Sequence, residues 1–250
     1  MKNVVKIEQV NSSFTNRRRF LKMSGLTLVG TSLLLAGCSN DDKEPEVLQK
    51  RGHFPGLKGG VFDLGAGDFG VLTYAYALEQ LESDFYTKVV NSNGFTTNFT
   101  TEDQQILTDL YRHEVIHREF FRAALTAALP NPNRQLLPDL TFNYGSLNFS
   151  DRTQVLATAK ALEDTGVAAY NGAGKLLTNP DYLLIAGKIV SVEARHASAI
   201  RSLINPNSKD FAGDDVVNPI TGLDVAKNPS QVLAIAGGFI TTQFSALYLP

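Results

Sequence analysis

Two glutamates each stand three residues ahead of a histidine, in Glu114-x-x-His117 and Glu193-x-x-His196. Side chains three apart on a helix share a face. Each pair therefore aims one oxygen and one nitrogen ligand at a common spot. Two further glutamates, Glu79 and Glu163, are each followed seven residues later by a tyrosine, Tyr86 and Tyr170. The chain thus runs Glu…Tyr, then Glu-x-x-His, and repeats the phrase. Apolar residues flank both pairs: Leu110 and Phe121 the first, Ile189 and Ile200 the second. Glu163 lies among Leu156, Ala159, Leu162 and Gly166, while Asp164 takes the polar side. An inward carboxylate without a partner is very costly, so four of them require compensation. Two divalent cations would supply it, with the two imidazoles completing the ligand shells. Tyr86 and Tyr170, two turns along the same faces, are placed to hydrogen-bond ligand carboxylates.

A single Glu-x-x-His is a weak motif and equally describes a helical ion pair. Here the motif occurs twice, at matching positions of a repeat, and uses two of only four histidines. Glu82 also faces the apolar side of its helix and can replace or join Glu79; the repeat favours Glu79, because Gly166 stands at the position matching Glu82. His113, one turn before His117, is expected to be packed or ion-paired rather than a ligand. His53 is expected to be solvated, and Phe142, Tyr144 and Phe149 to pack on the helices. Gly59-Gly60 and Gly65-Ala66-Gly67 follow no clear strand and are expected to be hinges rather than a nucleotide loop.

The elements that must position these residues are helices. Apolar periodicity predicts one from about Asp68 to Val90, with Val71, Leu72, Ala75, Leu78, Phe85, Tyr86 and Val89 inward. A second spans about Glu102 to Leu129, opened by a capping box at Thr101-Glu102-Asp103-Gln104. A third spans about Asp151 to Leu177, with Ser150 as N-cap. A fourth runs from Pro180 to Ile204, capped by Asn179 and stopped by Asn205-Pro206. Short links make antiparallel neighbours, whereas about twenty residues, Pro130 to Phe149, separate the second and third helices. The expected fold is all-α: an antiparallel four-helix bundle with one long crossover and a C-terminal extension. In that extension Asn228-Pro229 opens an apolar segment, Val232 to Leu249, expected to form a short fifth helix interrupted at Gly237-Gly238.

Over roughly residues 65–205 this pattern resembles the ferritin-like di-iron carboxylate proteins. Leu78-Glu79-Gln80-Leu81-Glu82-Ser83-Asp84-Phe85-Tyr86 and the stretch Ala161 to Tyr170 are most similar to bacterial ferritin-like domain proteins related to plant desiccation-related proteins. The resemblance implies Glu114 and Glu193 as bridging ligands, Glu79 and Glu163 as terminal ones, and one histidine per metal. Two metal ions are implied, iron ahead of manganese, with oxygen or peroxide as small oxidant. Oxidation of Fe(II), consumption of oxygen or peroxide, and a non-enzymatic stress-protection role all suit this fold; cage storage suits a tethered chain least.

Residues 1–37 read as an address. Asn16-Arg17-Arg18-Arg19-Phe20-Leu21-Lys22 resembles a Tat export signal, and an apolar stretch from about Leu26 to Leu35 follows. That stretch is short of the ~20 residues a membrane span needs. Leu35-Ala36-Gly37-Cys38 resembles a lipobox, which implies lipidation of Cys38, cleavage before it, and anchoring in the cell envelope. Residues 38–64 are expected to be a flexible tether, 65–205 the bundle and 206–250 the extension. Six of the 23 basic residues and one of the 25 acidic residues fall in 1–37, leaving 17 against 24, about −7, for the remainder. Such a charge argues against nucleic-acid binding. A single cysteine excludes both an intrachain disulfide and a thiol-rich metal site.

Overall fold

The computed structural model describes residues 53–250. The signal segment, Cys38 and the start of the tether lie outside the described residues. The described part begins with a hairpin of β1 (Gly56–Lys58) and β2 (Val61–Asp63), paired antiparallel. Gly59 and Gly60 turn it with φ of 60° and 88°. Such two-residue hairpin turns need positive φ at both positions, which glycine adopts without steric cost. These glycines are therefore a hairpin turn and not hinges, and 56–63 are strands rather than tether. His53 is likewise half-buried, with its ring 4.0 Å from that of Tyr248.

Four long helices follow. Helix α1 spans Gly67–Val90. After the short α2 (Phe95–Asn98), α3 spans Thr101–Ala128. The crossover carries the one-turn α4 (Pro132–Gln135). Helix α5 spans Arg152–Gly174 and α6 Pro180–Ile204. Two caps fall one residue from the expected place. The capping box is Thr100 with Asp103, and Asp151 rather than Ser150 caps α5. In both cases the residue chosen has a side chain that reaches the N3 amide, as capping requires. Asn179 caps α6 with Pro180 in its first turn.

Helix α1 packs on α3, and α5 on α6, giving two hairpins that face each other through α1–α5 and α3–α6. Burial is uneven. Seventeen of the 24 residues of α1 are buried, against seven of the 25 in α6. A helix apolar nearly all round has to be covered on every side, and the rest of the chain covers α1. Gln80 pins the crossover to it, donating to Pro138 O at 3.3 Å and accepting from Leu140 N at 2.8 Å. Tyr144 and Phe149 of the crossover pack on Phe85. The extension then forms α7 (Pro229–Ala236), capped by Asn228, ended at Gly237 and packed on α5. The chain closes with β3 (Phe244–Ser245), which pairs parallel with β2. Asp63 ties this corner together, accepting from Lys58 Nζ at 2.8 Å, Gly65 N at 2.9 Å and Ser245 Oγ at 2.6 Å.

Candidate metal centre

The bundle axis carries the carboxylates. Glu79 of α1, Glu114 of α3, Glu163 of α5 and Glu193 of α6 are each 0% exposed. His117 and His196 turn inward beside them. His117 Nδ1 lies 2.8 Å from Glu193 Oε1, 3.4 Å from Glu79 Oε2 and 3.7 Å from Glu114 Oε2. His196 Nδ1 lies 2.9 Å from Glu114 Oε1, 3.1 Å from Glu193 Oε2 and 3.5 Å from Glu163 Oε2. Two overlapping groups result: Glu79, Glu114, His117 and Glu193, and Glu114, Glu163, Glu193 and His196. In each, one donor atom per residue lies within 4.8 Å of the others. Donors on opposite sides of a first-row ion sit about 4 Å apart, since each bond is about 2.0–2.2 Å. Either group can therefore close around one ion with small movements.

The two tyrosines lock the outer oxygens. Tyr86 of α1 donates to Glu163 Oε1 at 2.6 Å, and Tyr170 of α5 donates to Glu79 Oε1. Each helix thus holds the carboxylate of the other. The inner oxygens are left without a hydrogen bond: Glu79 Oε2, Glu163 Oε2, Glu193 Oε1 and both oxygens of Glu114, together with His117 Nδ1. These are six of the nine buried unpartnered polar side-chain atoms among the described residues. His117 Nδ1 is close to its neighbours without being aligned on any of them, as expected of donors that converge on a shared point. Buried polar atoms in native proteins nearly always have partners, so a cluster of orphans on one axis calls for a cation. Oxygen and imidazole donors suit iron, manganese and similar divalent ions.

Electrostatics reflect the same crowding. Burial first, then the charges of Glu114 and Glu193, pushes the Glu79 carboxyl well above the usual range. Burial raises Glu163 to about 7, although His196 works against it. Burial acts to raise Glu114 too, but His117 and His196 hold it down to about 2. Burial disfavours the charged form of His117, yet Glu114, Glu193 and Glu79 push it up to about 12. His196 moves in the same direction under Glu163, Glu114 and Glu193.

A model of the ferritin-like domain matches residues 67–206, more than half of the chain. The chain belongs to the ferritin-like family. No curated protein matches it. Within this ferritin-like domain the structure brings together Glu79, Glu114, His117, Glu163, Glu193 and His196. Glu82 belongs to neither group. It is 3% exposed and borders a small cavity of about 20 Å³ with Leu78, Leu81, Gly166 and residues of α7. Gly166 leaves room for it, since a Cβ there would come within 2.9 Å of Glu82 Oε1. Burial and the four cluster glutamates push its carboxyl well above the usual range. His113 departs from expectation. It is exposed rather than packed, and its Nδ1 lies 2.9 Å from His196 Nε2. No local pattern signals that contact, because its partner lies 83 residues away.

Proposed function

We propose that this ferritin-like protein holds two divalent metal ions, iron ahead of manganese, and uses them to oxidise Fe(II) or to consume oxygen or peroxide. The observation that carries this is the set of six converging donor atoms that lack an aligned hydrogen bond. Glu114 and Glu193 are common to both donor groups, which suits them to bridge. Glu79 and Glu163 each have one oxygen held by a tyrosine and one free, which suits them to bind one ion each. His117 and His196 each complete one position. When bound, two such ions a few ångströms apart share the electrons needed to reduce a small oxidant. The residues' own work is to hold the ions, neutralise their charge and exclude bulk water.

Export through a Tat-type signal, with lipidation at Cys38 anchoring the chain in the bacterial cell envelope, rests on the sequence pattern of residues 16–38. Oxidant defence at the envelope follows from joining that placement to the metal chemistry. Elemental analysis of the purified chain of residues 39–250, beside its Glu114→Gln/Glu193→Gln variant, tests the metal reading. Two iron or manganese ions per chain, lost in the variant, are expected. A folded wild-type chain that takes up no metal after reconstitution sinks it, and favours a non-enzymatic stress-protection role on the same fold.

A further inference from the structure

The two halves of the centre differ in what stands behind each histidine. His196 Nε2 meets His113 Nδ1 at 2.9 Å, and the two rings lie within 9° of parallel. Their centroids are 5.1 Å apart. The nitrogens approach far closer than the ring centres do, so the rings meet edge to edge through an N–H···N hydrogen bond. Among the described residues, no hydrogen bond involves Nε2 of His117. The internal repeat explains the difference. His113 precedes Glu114 by one residue, and the residue that precedes Glu193 is Val192. A valine has no acceptor, so the second copy of the device is missing from the sequence.

An imidazole that binds a metal through Nδ1 carries its proton on Nε2. An acceptor for that proton fixes the tautomer, the ring orientation and the basicity of the ligating nitrogen. His196 has such an acceptor and is 3% exposed at its side chain; His117 lacks one and is 12% exposed. We propose that His113 is a positioning residue that accepts Nε2–H of His196 and makes the two metal positions unequal. The position formed by Glu114, Glu163, Glu193 and His196 is the preorganised one and fills first. The position formed by Glu79, Glu114, His117 and Glu193 fills second and exchanges more readily. This rests on the di-metal reading above.

Anaerobic titration of the chelator-treated chain with Co(II), followed by calorimetry and by the visible absorption of the bound ion, tests the proposal. The wild type should show two binding steps. His113→Leu should weaken the tighter step about 10–100-fold, the usual cost of losing such a partner, shift the absorption of that ion, and leave the weaker step alone. His113→Asn places an amide oxygen close to where Nδ1 stood and should restore the tighter step, which a merely structural role would not require. Melting of the metal-free variants checks that each is folded. Unchanged steps in His113→Leu, equal weakening of both, or no rescue by asparagine would overturn the inference while leaving the di-metal reading standing. A wild-type chain that binds fewer than two ions overturns that reading and the inference together, and the wild-type titration alone distinguishes this case.

Discussion

At the scale of single residues, the cluster stores protons that metal ions must displace. Consider the metal-free chain between pH 5 and 8. Unfolded, its glutamates ionise near 4.5 and its histidines near 6.5. Folded, burial raises Glu163 to about 7 and lifts Glu79 well above the usual carboxylate range, while the surrounding carboxylates push His117 up to about 12 against the effect of burial. In this window the folded state keeps protons that the unfolded state releases, so stability falls as pH rises. Glu114 lies outside the window. Held down to about 2 by the two histidines, it contributes stability above about pH 4.5 that is lost as pH falls toward 2. Divalent ions take the deprotonated ligands, so binding releases protons and strengthens with pH. The melting temperature of the chelated protein should therefore drop from pH 5 to pH 8, by about 2–4 °C for each kcal/mol lost. The increment produced by added Mn(II) should be larger at pH 8. Calorimetric melts at the two pH values check both statements, and a chelated protein with a flat profile would contradict the first.

At the scale of elements, the helices were legible because period and capping are local signals. Asn179-Pro180 marks the start of α6 by its own chemistry, and the six clustered side chains could be picked out because Glu-x-x-His is a helical spacing. The strands were not legible. Runs of two or three residues carry no alternation to detect, and Ser245 reaches Asp63 across 182 positions. The joints between helices are equally non-local. Asp103, 0% exposed, accepts from Thr100 N at the start of α3 and from Arg152 Nε at 2.7 Å at the start of α5, and Arg152 Nη2 donates to Leu203 O near the end of α6. The reciprocal tyrosines make the matching joint inside the bundle. Tyr86→Phe leaves Glu163 Oε1 without its donor, and Tyr170→Phe does the same to Glu79 Oε1. Leaving a buried acceptor unpaired costs about 1–3 kcal/mol. Urea unfolding of each metal-free variant should show a lower midpoint with an unchanged slope. Two variants with wild-type midpoints would mean that the hydroxyls do not hold these carboxylates.

At the scale of the whole described chain, the last part of the extension, residues 225–249, is a cover for the α1–α5 side of the bundle, and one glycine admits it. Lys227 N donates to Ala168 O of α5 at 2.9 Å, and Asn171 Nδ2 donates to Val225 O at 3.3 Å. The extension therefore crosses α5 on backbone contacts just before Asn228 caps α7. A Cβ at Gly172 would stand 1.7 Å from Lys227 O and 2.4 Å from Lys227 C. Neither atom can rotate away, because both belong to a main chain hydrogen-bonded to the same helix. Gly172→Ala must shift the crossing segment or distort α5, and overpacking of this kind costs about 1–3 kcal/mol or more. The damage has a direction. Helix α7 brings Ile235 and Ala236 to the cavity that Glu82 borders, so lifting it admits water on that side of the centre. Hydrogen exchange of the metal-free Gly172→Ala protein should rise across residues 225–249 and in α5, while α3 keeps its protection. If exchange rose evenly through all four long helices, the extension would be part of one cooperative core; if it did not rise in 225–249, the crossing at Gly172 would not be what holds the cover in place.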